Sequence, residues 1–466
     1  MQLKPLTVGP IIGETTTSRV RIWGRAAPSV VDGGPRRCFG VIRFMEYGGD
    51  EYLKPRYFKM NPNFDMTGIA ILDRLAPNSY YEYQMGYFYS DVELKDAPAQ
   101  DIDWEKTNYG YFKTASDDDS HPRTFAIGSC RYLLNTFFGD FFDDRGDKTF
   151  RSINRQIDDD GVEYDQLIMM GDQIYADDLN ILNPAVTIPE FYKRYRDAFS
   201  QKYIRQLMSR TSTYMTLDDH EIENNWPAHS SSKDWKTLFP NAVHAYQTYQ
   251  LSHSPAIPIR AGRLRGTLQK MWYKYTDGCC DIFVTDTRTE RRLGSVDERE
   301  IISTQQMQGL KRWLNDGSGR AKIIVSAVPF FPDTSSSGDT DKWSNFAKQR
   351  QELLSYIDSR DIEKVVFFSG DVHASFSGEL ILPNGNKILA VISSAFFWPY
   401  PHPSARKFKL KGIIDGGSIG ECVLSNFSPI VGDDNFTKVK VTPSQIQLEV
   451  YERKGDLCHQ MTHKFS

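Results

Sequence analysis

Acidic residues with a His, Asn or Tyr close by follow apolar runs at three places in the chain. The segments are DQLIMMGDQIYADD (Asp165–Asp178), YMTLDDHEIENNW (Tyr214–Trp226) and KVVFFSGDVHASF (Lys364–Phe376). An apolar run followed by Gly-Asp is typical of a buried parallel strand whose carboxylate emerges at its C-terminal edge, where open α/β sheets build their sites. Hard oxygen ligands together with imidazole and phenol groups indicate a metal cluster. The sequence therefore predicts a metal-dependent hydrolase.

A fourth strand end, in GSCR, places Cys130 and Arg131 after the apolar run TFAI. A thiolate is a soft ligand that suits iron or zinc better than magnesium. In GDQIY, Tyr175 follows Asp172 by three residues, so both side chains share one face if a helical turn begins there. Tyrosine is a good ligand only as a phenolate, which a trivalent cation such as Fe(III) favours. The alternatives are a buried thiol and an aromatic ring that only packs.

The densest acidic cluster is DDHE, Asp218–Glu221. Adjacent carboxylates repel each other unless a cation neutralises them. His220 can donate a proton to a leaving group or stabilise a transferring phosphoryl group. Asn224 and Asn225 add neutral oxygen donors of the kind that calcium accepts. The alternative, acidic residues at a helix N-terminus, accounts for one aspartate but not for the whole run.

Two further strand ends carry charged residues. In GDVH, Asp371 and His373 point the same way if the chain is extended, so they can face one metal or straddle two. In VTDTRTER, Asp286 and Arg288 follow another apolar run. We expect Arg288 to orient a ligand carboxylate or to form a structural ion pair, because metal ligands need such partners.

The elements that position these residues form two predicted regions. Residues 1–115 contain short strands such as SRVRIWGRA and YYEYQMGYFY, bounded by Gly, Pro, Asn and Asp, which predicts an all-β sandwich. The polar segment ASDDDSHPR (Ala115–Arg123) is predicted to be a linker. In residues 124–466, apolar strands alternate with amphipathic helices, which predicts a layered α/β domain that includes the C-terminal strands.

Composition excludes several classes of protein. The net charge of the 466 residues is -4, and polybasic runs are absent, so no nucleic-acid-binding surface is evident. No segment has the length and apolarity of a membrane span. No secretory signal is visible, so we expect a cytoplasmic protein or an exported one whose leader has been removed. The 6 cysteines lack metal-type spacing and are expected to be reduced thiols.

Taken in order, GSC, GDxxY, DDHE with a following Asn, TDTR and GDVH resemble the PhoD family of alkaline phosphatases, a branch of the metallophosphoesterases. The segment GPIIGETTTSRVRIWGRA is similar to that family's N-terminal β-sandwich, so the resemblance covers nearly the whole chain. It implies an α/β fold of metallophosphoesterase type, with layered sheets and flanking helices, after the sandwich. It also implies Fe3+ held partly by a Cys and a Tyr, with Ca2+ beside it, or other divalent metals.

Carried over to the matching positions, the resemblance implies ligands for iron at Cys130, Asp172, Tyr175 and His373, and for calcium at Asp371, Asn224 and Asp219. The sequence leaves open whether Asp218 or Asp219 is the ligand, and likewise Asn224 or Asn225. Asp219 is preferred because it adjoins His220. Asn224 is preferred for its spacing to that aspartate.

The function that this resemblance implies is hydrolysis of phosphate esters, as a phosphomonoesterase, a phosphodiesterase or both, by a metal-activated hydroxide. Arg131 is predicted to stabilise charge on the phosphoryl oxygens, and His220 to act beside it. Small-molecule phosphate esters are the expected partners. One alternative is a phospholipase-like phosphodiesterase at membranes, to which the aromatic loop AFFWPYPHP (Ala395–Pro403) would contribute if it is not a wall of the pocket. The other is a non-catalytic binding module on the same scaffold.

Overall fold

The computed structural model describes residues 2–31, 34–35, 37–91, 101–133, 144–177, 183–260, 263–264, 268–335 and 341–465. Its first part contains nine strands: β1 Val8–Thr15, β2 Arg19–Arg25, β3 Val30–Val31, β4 Gly34–Pro35, β5 Arg37–Glu46, β6 Arg56–Lys59, β7 Thr67–Asp73, β8 Tyr80–Ser90 and β9 Asn108–Lys113. They pair antiparallel in a sheet of order β1-β2-β7, a sheet of order β6-β5-β8-β9 and the pair β3-β4.

The two larger N-terminal sheets bury one apolar face each against the other. Ile22 and Leu72 from one sheet share a cluster of buried side chains with Ile42 and Met85 from the other. Alternation along the strands produces this face, as in β7, where every second residue from Gly68 onward is buried. This is the sandwich arrangement that the sequence predicts, and the removal of these faces from water stabilises it.

Over the residues that the structure describes, the second part contains the remaining strands and six α-helices. In chain order they are β10 Arg123–Gly128, α1 Arg145–Asp158, β11 Gln166–Met170, α2 Ile188–Phe199, α3 Lys202–Met208, β12 Ser212–Thr216, α4 Leu238–Tyr246, β13 Ile259–Arg260, β14 Arg263–Leu264, β15 Tyr273–Asp277, β16 Cys280–Val284, α5 Thr304–Leu314, β17 Ala321–Ser326, α6 Ala347–Ser359, β18 Val365–Ser369, β19 Phe376–Ile381, β20 Lys387–Ile392, β21 Ile413–Asp415, β22 Glu421–Ser425, β23 Asn435–Val441, β24 Gln445–Glu452 and β25 Leu457–Lys464.

Two mixed sheets form the centre of this part. The first has the order β12-β11-β10-β23-β24-β25, and the second the order β15-β16-β17-β18-β20-β19-β22-β21. Strands β10, β11 and β12 run parallel, and so do β16, β17, β18 and β20. The C-terminal strands β23 to β25 extend the first sheet by antiparallel pairing. The predicted class of layered sheets with flanking helices is therefore confirmed.

The layers follow from which side chains share a core. Phe125 of the first sheet contacts Phe368 of the second, with ring centroids 6.1 Å apart, so the two sheets face each other. On the outer face of the second sheet, Phe367 and Ile324 join Leu310 of α5 and Leu353 of α6 in another buried cluster. Helices α1 to α4 contribute to the core shared with the first sheet.

Local signals set the helix ends. Ser303 caps α5 by accepting a hydrogen bond from the N–H of Gln306. Glu190 closes the start of α2 by accepting from the Thr187 N–H at 2.8 Å, next to Pro189. Two helices follow each other closely here, since α2 ends at Phe199 and α3 begins at Lys202.

The predicted linker lies between β9, which ends at Lys113, and β10, which begins at Arg123. Contacts also join the two parts directly, since Thr15 of β1 hydrogen-bonds Ser212 and Tyr214 of β12. The domain boundaries at 115 and 124 remain a prediction. All 6 cysteines are free. Among the described helices, none combines the length and the apolarity that crossing a membrane requires.

Candidate metal centre

Four predicted ligand segments begin just beyond the carboxyl ends of parallel strands. Cys130 follows β10, Asp172 follows β11, and Asp219 follows β12, which are three neighbours in the first sheet. Asp371 follows β18 of the second sheet. Because the sheets face each other, the ends of both sets of strands meet at one edge of the molecule.

Two groups of carboxylate and imidazole ligands meet at this edge. One contains Asp172, Asp219 and His220, and the other contains Asp218, Asp219 and Asp371. Within each group, one ligand atom of every residue lies within 4.8 Å of the others. Asp219 belongs to both groups.

Softer donors lie beside the first group. The Sγ atom of Cys130 is 3.3 Å from Oδ2 of Asp172, and both residues are almost fully buried. Burial raises the pKa of the Cys130 thiol to about 12, and the charge of Asp371 adds to this shift. Burial and the nearby Cys130 also raise the pKa of Tyr175, whose buried hydroxyl makes no hydrogen bond. A bound cation reverses both effects, because it favours the thiolate and the phenolate.

The backbone at the site is strained. Cys130, Asp172, Asp371 and His373 have φ angles of 55°, 56°, 67° and 52°, in the left-handed region that costs about 1–3 kcal/mol for a residue with a Cβ atom. The preceding Gly171 has a φ of 98°, and a Cβ atom there would lie 2.4 Å from Cβ of Asp218. These turns aim consecutive side chains into the cluster, and the surrounding packing holds them there.

Arg288 distinguishes the two adjacent aspartates. Its Nε donates to Oδ1 of Asp218 at 2.5 Å, and its guanidinium group also donates to Asp341 and to the carbonyl of Trp226. Its distance to Oδ1 of Asp219 is longer, 3.4 Å. Asp218 is therefore held by an arginine, while Oδ1 of Asp219 has no hydrogen-bond partner. Arg288 therefore forms a buried ion pair with a carboxylate of the cluster.

A profile described as PhoD-like phosphatase matches residues 129–394. The chain belongs to the PhoD-like phosphatase family. The family resemblance drawn from the five ordered motifs is thereby confirmed.

Relatives support the same assignment. Alkaline phosphatase D of Bacillus subtilis (strain 168) is 24% identical over 419 residues, which is 81% of this chain and 66% of that protein. The chain thus spans just under two thirds of the length of this curated relative. The solved structure of PhoD has a TM-score of 0.73 at 18% identity and covers 99% of this chain and 89% of its own. Purple acid phosphatase PPD1 from yellow lupin (Lupinus luteus) seeds has a TM-score of 0.62 at 13% identity, with coverages of 97% and 73%. At these identities, both solved structures establish the fold alone.

In this PhoD-like chain, Glu221 has a role that its position in DDHE does not reveal. Its carboxylate accepts hydrogen bonds from the main-chain N–H groups of Asp172 at 3.0 Å, Gln173 at 2.7 Å and Asp218 at 2.9 Å. It also accepts from Gln250 at 3.1 Å. Burial raises the pKa of Glu221 to about 7, against these hydrogen bonds, which lower it. Glu221 therefore ties the loops after β11 and β12 together.

His220 is held by a residue that the sequence did not single out. Its Nδ1 is 2.8 Å from Oδ2 of Asp177, which also accepts from the main-chain N–H of Asn224 at 2.8 Å. Burial lowers the pKa of His220, but the carboxylates of Asp219 and Asp177 outweigh burial and raise that pKa to about 9.

Asn224 is exposed, and the half-buried Asn225 donates its N–H to Asp219 at 2.5 Å. The choice between the two asparagines as a ligand remains a prediction.

Arg131 contacts the helical layer next to the candidate metal centre. Its side chain is fully buried, and Nη1 donates to the carbonyl of Ala198 at 2.7 Å. The guanidinium group is also 3.5 Å from the Asp147 carboxylate and 5.1 Å from the centroid of the Phe150 ring. These contacts join Arg131 to α1 and α2, and its role at a phosphoryl group remains a prediction.

The aromatic loop after β20 covers one side of the cluster. Trp398 stacks on the ring of His373 with centroids 3.7 Å apart, and it lies 6.0 Å from the ring of Tyr175. Tyr400, which is 41% exposed, packs edge-on against Trp398 at 5.0 Å. This placement favours a wall of the pocket over a membrane-facing loop. The ammonium group of Lys342 is 2.9 Å from Oδ2 of Asp371, a contact that no motif predicted.

Proposed function

We propose that this chain is a metal-dependent hydrolase of phosphate esters, acting on monoesters, diesters or both. The observation that carries the proposal is the sharing of Asp219 between two groups of buried ligands. Buried carboxylates at such short distances repel each other, and cations remove that repulsion. The family membership and the fold support the same conclusion.

The donor set fits the metals that the family resemblance implies. The buried hydroxyl of Tyr175 and Oδ1 of Asp219 lack hydrogen-bond partners, as expected for atoms that ligate a cation. A thiolate and a phenolate suit iron, and carboxylate oxygens suit calcium. We assign Cys130, Asp172, Tyr175 and His373 to Fe3+, and Asp371, Asn224 and Asp219 to Ca2+. When bound, such cations polarise a phosphoryl oxygen and bring the pKa of water close to neutral.

Protein groups around the cluster exclude water and supply a proton. The wall formed by Trp398 excludes bulk water from one side of the site. In hydrolysis, the oxygen of water forms a bond to phosphorus, the ester P–O bond breaks, and the leaving oxygen takes up a proton. We assign that proton to His220, whose ring is oriented through Nδ1 by Asp177.

Elemental analysis combined with activity assays tests this function. The purified protein should contain iron and calcium, and it should hydrolyse 4-nitrophenyl phosphate, bis(4-nitrophenyl) phosphate or both. A chelator should abolish the activity, and restoring the metals should recover it. Full activity in metal-free protein would overturn the proposal.

A spectroscopic variant tests the iron ligands separately from turnover. A phenolate bound to Fe3+ absorbs visible light by charge transfer, so the protein should be coloured and Tyr175→Phe should lose that band. Tyr132→Phe is the matched control, because Tyr132 is a buried ring that packs against Tyr175 at 5.0 Å. A band that survives in Tyr175→Phe would contradict the assignment of Tyr175.

A further inference from the structure

Lys342 is a buried cation at the edge of the candidate metal centre. Only 6% of its surface is exposed, and its Nζ is 2.9 Å from Oδ2 of Asp371 and 3.8 Å from Oδ2 of Asp341. Asp371 also forms one of the two candidate metal-binding groups together with Asp218 and Asp219. The ammonium group therefore lies beside the ligands that we assign to calcium.

The backbone holds this lysine in place. The preceding Asp341 is buried and accepts hydrogen bonds from Arg288 and Arg291. The following Trp343 is fully buried, and its Nε1 donates to Oγ of Ser326 at 3.1 Å. Lys342 is thus anchored on both sides before any ligand binds. Positioning of this kind is what makes a charge effective in a site, because little reorganisation is needed during the reaction.

Other buried cations near the site are bound within the protein. Arg288 donates to Asp218, Asp341 and the carbonyl of Trp226. Arg291 donates to Asp341 at 3.0 Å and to the carbonyl of Thr287 at 2.8 Å. Arg131 lies in the helical layer. A lysine differs from these planar groups, because its ammonium group has three rotatable donors on a flexible stem and can contact a carboxylate and a phosphate oxygen together.

We propose that Lys342 binds the phosphoryl group of the substrate, with Asp371 holding its ammonium group in place. We thus assign to Lys342 the stabilisation of the phosphoryl oxygens that the sequence predicts for Arg131. The inference rests on the proposed function, since it concerns the same site. It adds a charge that stabilises the phosphoryl oxygens and that no motif of the family resemblance contains.

The experiment compares Lys342→Met with Lys322→Met in the metal-loaded protein. Lys322 is the matched control: it is 3% exposed, and its Nζ is 2.8 Å from Oδ2 of Asp281, but it lies in β17 at the end opposite the metal centre. Three quantities are measured: metal content, affinity for inorganic phosphate by calorimetry, and steady-state kinetics with 4-nitrophenyl phosphate.

Lys342→Met should keep its metals and bind inorganic phosphate about ten- to a hundredfold more weakly, the range expected for loss of one charge-assisted hydrogen bond. Its kcat/KM should fall at least as far. Lys342→Arg, which keeps the charge, should recover part of the phosphate affinity. The folded fraction of Lys322→Met should bind phosphate as the unaltered protein does.

Three results would overturn the inference. One is unchanged phosphate affinity in Lys342→Met with the metals retained. The second is loss of metal in that variant, because Lys342 would then act only by positioning Asp371. If Lys342→Met does not fold, the neutral polar variant Lys342→Gln decides, and unaltered phosphate affinity in that variant is the third. The proposed function fails on a separate observation, namely that the unaltered, metal-loaded protein hydrolyses no phosphate ester.

Discussion

Strands β10 and β11 carry buried charges at both ends, and the two ends differ in their balance. At the amino ends, Arg123 is 2.7 Å from Asp165 and 2.7 Å from Asp277. At the carboxyl ends, six acidic residues and a thiol face three cations, Arg288, Arg291 and Lys342; the acidic residues are Asp172, Asp218, Asp219, Glu221, Asp341 and Asp371. Similar residues at opposite ends of the same strands are therefore arranged for different purposes.

The comparison shows that charge balance separates a structural network from a site. Near Arg123, each carboxylate has a cation or a hydrogen-bond donor, as a buried ion pair requires. At the carboxyl ends, Oδ1 of Asp219 and the Tyr175 hydroxyl have no hydrogen-bond partner, and the Arg288 guanidinium group is 3.4 Å from that Asp219 oxygen. An excess of buried negative charge is stable only when cations bind or when the groups become protonated. The charges at the amino ends of the strands should thus determine stability, and those at the carboxyl ends should determine metal binding.

The largest expected effect comes from breaking the shared ligand. Asp219→Asn should lower kcat by about 10³-fold or more, since an effect of several kcal/mol on the transition state corresponds to that factor. It should also reduce the metal content. Its thermal stability without metals should not fall, because one repelling charge has been removed. Elemental analysis and kinetics check this prediction, and retention of full metal content would contradict it.

At the other end of the strands, Arg123→Met should act on stability alone. Removing the arginine leaves Asp277 buried without its cation and Asp165 with only the ammonium group of Lys113 at 3.7 Å, which costs about 3–5 kcal/mol of the free energy of unfolding. The metal content and kcat of the folded fraction should stay unchanged. Arg56→Met is the control, since Arg56 pairs with Asp73 at the surface and should cost at most about 1 kcal/mol. A loss of metal in Arg123→Met would break the distinction between the two ends.

The pH dependence of stability sharpens the same distinction. Burial raises the pKa of Asp277 to about 6, although Arg123 opposes the shift. Because the folded-state pKa lies above the ordinary value, this group contributes most to stability below about pH 4, and the contribution is lost as the pH rises to about 6. Asp277→Asn should remove this dependence, which amounts to at most about 3 kcal/mol. Urea unfolding between pH 4 and 7 checks it: the difference in unfolding free energy between the two proteins should change up to pH 6 and then level off.

Much of the fold follows from sequence patterns, because strand and helix periods and caps are local. Apolar runs locate the parallel strands, Ser303 marks the start of α5, and the order of the motifs identifies the family. The meeting of the strand ends also follows, since parallel strands that pair side by side present their carboxyl ends at one edge.

Roles that depend on distant partners could not be read from the sequence. Asp218 and Asp219 are adjacent and chemically identical, and only Arg288, 70 positions away, sets them apart. Arg131 adjoins a predicted ligand, yet its guanidinium group turns toward Ala198, 67 positions away. Lys342 lies in a polar segment without a motif, and its pairing with Asp371 depends on how α6 and β18 pack. Glu221 belongs to the acidic run but bonds main-chain groups of the neighbouring loop.

The smallest expected effect concerns Glu221, which lies at the carboxyl ends but holds main-chain groups beside the candidate ligands. Glu221→Gln should keep the fold and lower metal affinity about ten- to a hundredfold, as expected for a residue that orients ligands. The amide cannot accept at both positions, so it loosens the N–H groups of Asp172, Gln173 or Asp218. Glu223→Gln, two residues further on, is the control and should leave metal affinity unchanged. Metal titration of the apoprotein measures both. If Glu221→Gln bound metal as tightly as the control, Glu221 would be a structural residue. The residues that determine metal binding would then be the ligands themselves, without the carboxylate that holds their loops.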